Sequence, residues 1–84
     1  METGDIVISL AGHDADKAFV VTSTVSDDFV LIADGKQRTI ESPKLKRTKH
    51  LRVVGQSDLK SPTNANLRKC IKKFNSDRRL YAEK

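Results

Sequence analysis

The chain has 84 residues, 37% hydrophobic and 32% charged, enough for one small core and an appended element but not for two cores. No window approaches the ~20 apolar residues of a membrane span, and one cysteine, Cys70, with two histidines, His13 and His50, makes neither an internal disulfide nor a four-ligand zinc site. The formal charge of +5 hides an asymmetry, because residues 1–35 set Lys17 alone against seven acids, whereas residues 36–84 set 15 basic residues against Glu41, Asp58, Asp77 and Glu83.

Asp5 to Leu10 alternates, with Ile6, Ile8 and Leu10 on one face and Asp5, Val7 and Ser9 on the other, which predicts a half-buried first strand. Ala11 to Asp16 is small, polar and glycine-containing, a loop before the apolar run Ala18–Thr22, and the second strand is expected to continue to Val25. Ser26-Asp27-Asp28 is a turn cluster, and Phe29 to Ala33 is apolar on both faces, as in an interior strand. Asp34-Gly35 has the composition of a two-residue type I′ hairpin, which predicts that Lys36 to Ile40 returns as a fourth strand. Pro43 to Arg47 reads as an irregular connection with Leu45 plugging inward. Leu51 to Val54 is the fifth strand. Five short strands without room for a crossover helix are antiparallel, and a small closed or nearly closed barrel is the economical way to cover their edges.

From Gly55 to Pro62 the composition is that of a linker or turn, in which Ser57-Asp58 can start one helical turn. The period then changes. Thr63 is an N-cap, and Leu67, Cys70, Ile71 and Phe74 follow at the spacing of one helix face. Arg68, Lys69, Lys72 and Lys73 lie off that stripe, so a basic amphipathic helix is expected to pack on the barrel. Asn75-Ser76-Asp77 can end or restart it, Leu80 and Tyr81 can dock a last turn, and residues 82–84 are expected to fray. The predicted organisation is a β domain over 1–55, a linker over 56–62 and the helix over 63–81.

Chemistry has little footing in these residues. Cys70 falls on the apolar stripe, as a small buried hydrophobe does. His13-Asp14-x-Asp16 offers three ligands in one loop with no further anchor. No phosphate-binding loop, dinucleotide fingerprint or nucleophile elbow occurs, so the expectation is a protein that is not an enzyme and holds no cofactor or metal. The acidic start lacks the basic and apolar regions of a secretory signal, which predicts a cytoplasmic location.

The basic residues are richer. Lys44, Lys46, Arg47, Lys49 and Arg52, with His50, fall in nine residues without an acid, and Arg68, Lys69, Lys72 and Lys73 can extend the footprint. Concentrated positive charge of this kind binds phosphates through counterion release, although charge alone does not separate that role from a solvated basic surface. Phe19, Phe29 and Phe74 sit at core positions, so recognition by shape and backbone of a folded RNA fits better than base stacking, with Arg38 or Arg47 as loop or minor-groove readers.

Gly4-Asp5-Ile6-Val7-Ile8-Ser9-Leu10-Ala11-Gly12-His13-Asp14, followed by Lys17 to Val21, resembles a KOW motif. Gly4 and Asp5 match its opening, Val7 and Ile8 its apolar core, Gly12 its central glycine and Val20-Val21 its second strand. The continuation through Val30 to Lys36, basic Lys44 to His50, and Thr63 to Lys69 extends the resemblance along nearly the whole chain. It is similar to the small KOW-domain RNA-binding proteins of bacteria and to KOW-type large-subunit ribosomal proteins of archaea and eukaryotes. The resemblance implies an SH3-like barrel that binds ribosomal RNA without catalysis, on or near the ribosome, with ribosomal proteins as further partners; no exposed coiled-coil seam argues for a dimer, so a monomer is expected. His13 and Lys17 match basic positions of the family's loop, but two acids, Asp14 and Asp16, stand in it and its second glycine is missing. The candidate RNA-binding set is thus His13, Lys17, Lys36, Arg38, Lys44, Lys46, Arg47, Lys49, His50, Arg52, Arg68, Lys69, Lys72 and Lys73. A protein-interaction module of SH3-like type with an acidic partner, or a transcription or translation accessory factor, is the alternative.

Overall fold

The computed structural model describes residues 1–57 and 62–82, with side chains to residue 78. In chain order the elements are β1 (Asp5–Ser9), β2 (Ala18–Thr24), β3 (Phe29–Ala33), β4 (Lys44–Arg47), a single 3-10 turn (Thr48–His50), β5 (Leu51–Gln56) and α1 (Asn64–Ala82). The strands form one antiparallel sheet in the order β4-β3-β2-β1-β5.

The sheet is not closed into a barrel, contrary to the expectation from the sequence. β4 and β5 are consecutive in the chain yet occupy opposite edges, and among the described residues neither edge is paired with the other. The 3-10 turn carries the chain from one edge to the other: Thr48 N–H bonds to Asp28 O on the β3 side, and His50 O accepts from Leu10 N–H on the β1 side. A groove of about 510 Å³, bordered by Thr24–Asp27, Thr48 and Val53, lies along this opening.

Curling without closure gives the sheet two apolar clusters. On the helix side Ile6, Ala18, Val20 and Ala33 pack against Leu67 and Ile71, with Ile40, Val54, Cys70 and Phe74 around them. On the other side Val7, Phe19, Val21, Val30, Ile32 and Leu51 pack on one another. Strand side chains alternate between faces, so β1 supplies Ile6 to one cluster and Val7 to the other. The alternation assigns Ile6 and Val7 to opposite faces correctly, but the strand is not half-buried: Val7 is buried too, and Leu10, beyond the strand's end, is 55% exposed. Asp5, also read as outward, is buried with its carboxylate accepting from Glu2 N–H at 2.8 Å. Register shifts beside Val21 and Ile6 accentuate the curl.

Two further expectations are corrected around β3. Lys36–Ile40 is not a strand. Asp34 Oδ1 accepts from Lys36 N–H and Arg38 N–H, both at 2.9 Å, and Arg38 O accepts from Asp34 N–H and Gly35 N–H. These bonds satisfy the backbone locally and make a wider loop than a two-residue hairpin. The strand that pairs with β3 is instead Lys44–Arg47, and its Leu45 is 54% exposed rather than plugged inward. β2 ends at Thr24, leaving Val25 exposed.

The helix follows the sequence pattern closely. Thr63 Oγ1 accepts from Asn66 N–H at 3.1 Å as the N-cap, and Leu67 and Ile71 are the helix's buried hydrophobic residues among the described residues. It runs unbroken through Asn75-Ser76-Asp77. The part of the linker at 58–61, the side chains of Leu80 and Tyr81, and residues 83–84 lie outside the described residues.

Candidate nucleic-acid interface

The candidate residues divide into three groups, and β4 is where the division begins. Its register sets Lys44 opposite Ile32 and Lys46 opposite Val30, but Leu45 opposite Leu31 and Arg47 opposite Phe29. Alternate residues face opposite sides, so the run from Lys44 to Arg52 is not one surface.

The first group lies at the β1–β2 loop. Lys44 Nζ is ion-paired and hydrogen-bonded to Asp14 Oδ2, and Lys46 Nζ reaches Ala11 O at 3.5 Å. Arg78, which the sequence reading did not select, donates to Asp16 O at 3.0 Å and lies 4.0 Å from its carboxylate. Arg78 stands four residues after Phe74 and lies over its ring at 5.6 Å; that spacing on one helix face was the available signal. His13 and Lys17 are exposed on the loop. The acids of this loop are thus met by cations of the same chain, and its cationic field is partly cancelled.

The hydrogen bond from Lys44 holds the Asp14 carboxyl below the ordinary aspartate value, with the charges of Lys44, Lys46 and Lys17 acting in the same direction against partial desolvation. A depressed folded-state value contributes stability that is present above the unfolded value of about 4 and is lost as pH falls through the folded value. Asp14→Asn is expected to lower stability by about 0.5–1 kcal/mol at neutral pH. In acid, once pH has fallen through the folded value and the wild-type carboxylate is protonated, the difference is expected to vanish. Urea midpoints under the two conditions check this, and a deficit that persists in acid would contradict it.

The second group surrounds Phe29. The Arg47 guanidinium lies over that ring at 5.3 Å, and Lys49 is exposed on the 3-10 turn. With Asp28 and Thr48 they border a cavity of about 320 Å³. His50 is half-buried, and Arg52 is exposed opposite Ile8 on β5.

The third group joins two segments far apart in sequence. Arg68 Nη1 donates to Gly35 O at 2.7 Å, and Asn64 Oδ1 accepts from Ile40 N–H at 2.9 Å. These bonds fix the β3–β4 loop, with exposed Lys36 and Arg38, along the first turns of α1, whose outer residues Arg68, Lys69, Lys72 and Lys73 are exposed. Asn64, absent from the candidate set, is the clamp. Its Nδ2 also donates to the Glu41 carboxylate, and this bond holds the Glu41 carboxyl below its ordinary value.

Among the described residues no group of three or more His, Cys, Asp or Glu side chains is placed to hold a metal ion, and no helix is long and apolar enough to cross a membrane. Cys70 packs beside the helix-side cluster. No protein-family model matches this chain, and no curated protein matches it at a significant level.

Proposed function

We propose that the protein is a non-catalytic RNA-binding module of the cytoplasm that contacts ribosomal RNA through its phosphates. One observation carries the reading: of the candidate basic residues, Lys44 is the one in an ion pair among the described residues, and most of the others are exposed. Cations held on a folded scaffold without acidic partners lower the free energy of a polyanion by releasing its counterions. The resemblance of Gly4 to Val21 to a KOW motif directs the reading to RNA. Among the described residues, buried Phe19, and Phe29 and Phe74 covered by Arg47 and Arg78, support backbone contact over base stacking.

Crosslinking and sequencing of RNA bound to the tagged protein in its native cells tests this, together with a salt titration of the most enriched fragment. The expected result is enrichment of a ribosomal RNA site whose affinity falls roughly a thousandfold between 50 and 200 mM salt, taking about six phosphate contacts and duplex DNA as the guide. No enrichment over a charge-matched control protein, with an acidic protein recovered instead, would overturn it.

A further inference from the structure

We propose that the RNA-contacting surface is the face built by α1 and the β3–β4 loop, and that its ligand is the phosphate backbone of helical RNA. The proposal rests on the RNA reading above and locates it. Six cations stand on this face: Lys36 and Arg38 from the loop and Arg68, Lys69, Lys72 and Lys73 from the helix, all exposed. Chain separation of about thirty residues is bridged by the bond from Arg68 to Gly35 O, so the loop cations are held at a fixed place beside the helical ones.

Two acids of this face, Asp34 and Glu41, are occupied by groups other than its cationic side chains. Asp34 is engaged by the backbone N–H groups of Lys36 and Arg38, and Glu41 by the Asn64 amide. Asp77, four residues after Lys73, borders with it a cavity at the margin of this face and is in no ion pair with it among the described residues. The contrast with the β1–β2 loop is direct: there Asp14 and Asp16 already engage Lys44 and Arg78, and RNA has to compete with the protein's own carboxylates. Helix geometry adds register. Lys72 and Lys73 stand three and four residues after Lys69, about 4.5–6 Å along the axis, a spacing at which long stems reach successive charges on one backbone. No described aromatic ring lies free on this face to stack an unpaired base, and a rigid row of cations reads an A-form helix by shape and phosphate position.

The test uses the full chain and an RNA duplex of about 16 base pairs. Lys69→Gln, Lys72→Gln and Lys73→Gln together are expected to reduce the salt-dependence slope by about three and to weaken binding at 0.1 M salt by on the order of a hundredfold or more. Thr3→Glu, Ser23→Glu and Thr24→Glu change the net charge equally outside the face and are expected to leave the duplex affinity within about threefold. Circular dichroism of each variant confirms an intact fold. Equal losses in the two triple variants would mean that net charge alone drives binding, and would overturn the proposal. An unaffected glutamine variant, with the loss found instead in Lys17→Gln, Lys46→Gln and Lys49→Gln, would leave the RNA reading standing and overturn this surface. Binding of oligouridylate as tight as that of the duplex would overturn the helical ligand. A wild-type protein without salt-dependent binding to either RNA would overturn the RNA reading itself.

Discussion

Gly35→Ala is expected to destabilise the protein by about 2–4 kcal/mol, a large share of what a small domain possesses. Two costs add. Gly35 has φ +79°, where a side chain costs about 1 kcal/mol. The position is also crowded: a Cβ there would stand 2.2 Å from Asn64 O and 3.1 Å from the Leu67 Cβ. The first of these is backbone at the start of α1, so relief requires moving either the loop or the helix, at about 1–3 kcal/mol for overpacking. Gly12 provides the comparison. Its φ is also +79°, but a Cβ there would meet nothing nearer than Lys46 Nζ at 4.0 Å, so Gly12→Ala is expected to cost about 1 kcal/mol from conformation alone. Urea unfolding of both variants measures the difference, and equal midpoints would mean that the loop does not seat on the helix as closely as described.

Gly35 also shows where sequence reasoning succeeds and where it stops. Asp34-Gly35 marks a turn correctly, because positive φ is a local requirement that residue type reveals. The length of that turn is decided by side-chain competition for backbone donors: Asp34 Oδ1 captures two N–H groups that a ladder would have used. β4 escapes notice for the opposite reason. Lys44-Leu45-Lys46-Arg47 has no apolar face to betray a strand, and its inward positions are lysine stems with Leu45 turned out, a composition suited to an edge. The helix was legible because its apolar spacing and its cap act within one segment. Barrel closure was not, since whether two edges meet depends on how the 3-10 turn between them is anchored, at Asp28 O on one side and Leu10 N–H on the other. The candidate cations were found by composition, but their partition was not. Strand alternation splits Lys44 and Lys46 from Arg47, whereas the Arg68 bond joins two distant runs into one face.

The second large effect is expected at Leu67, where Leu67→Ala should cost about 2–5 kcal/mol. Leu67 is fully buried and packs, with Ile71, among Ile6, Ala18, Val20 and Ala33. Truncation leaves a cavity whose walls belong to three strands, which cannot collapse around it independently. The cluster on the opposite side of the sheet, centred on Val7, Phe19 and Ile32, contains no helix residue among the described residues, so loss of the helix alone and loss of the whole fold are distinct outcomes. The expected outcome is a single transition. Undocking α1 would expose Ile6, Val20 and Ala33 to water and release the β3–β4 loop from Asn64 and Arg68, removing apolar burial that so small a sheet cannot spare. The helical circular-dichroism signal and hydrogen-exchange protection of the β1–β3 amides should therefore fall together in Leu67→Ala. Early loss of the helical signal with the strand amides still protected would contradict this and make the sheet an autonomous unit. The glutamine variants at Lys69, Lys72 and Lys73 alter only exposed positions and should keep stability within about 0.5 kcal/mol. Comparison of the two sets thereby separates what seats the helix from what the helix presents.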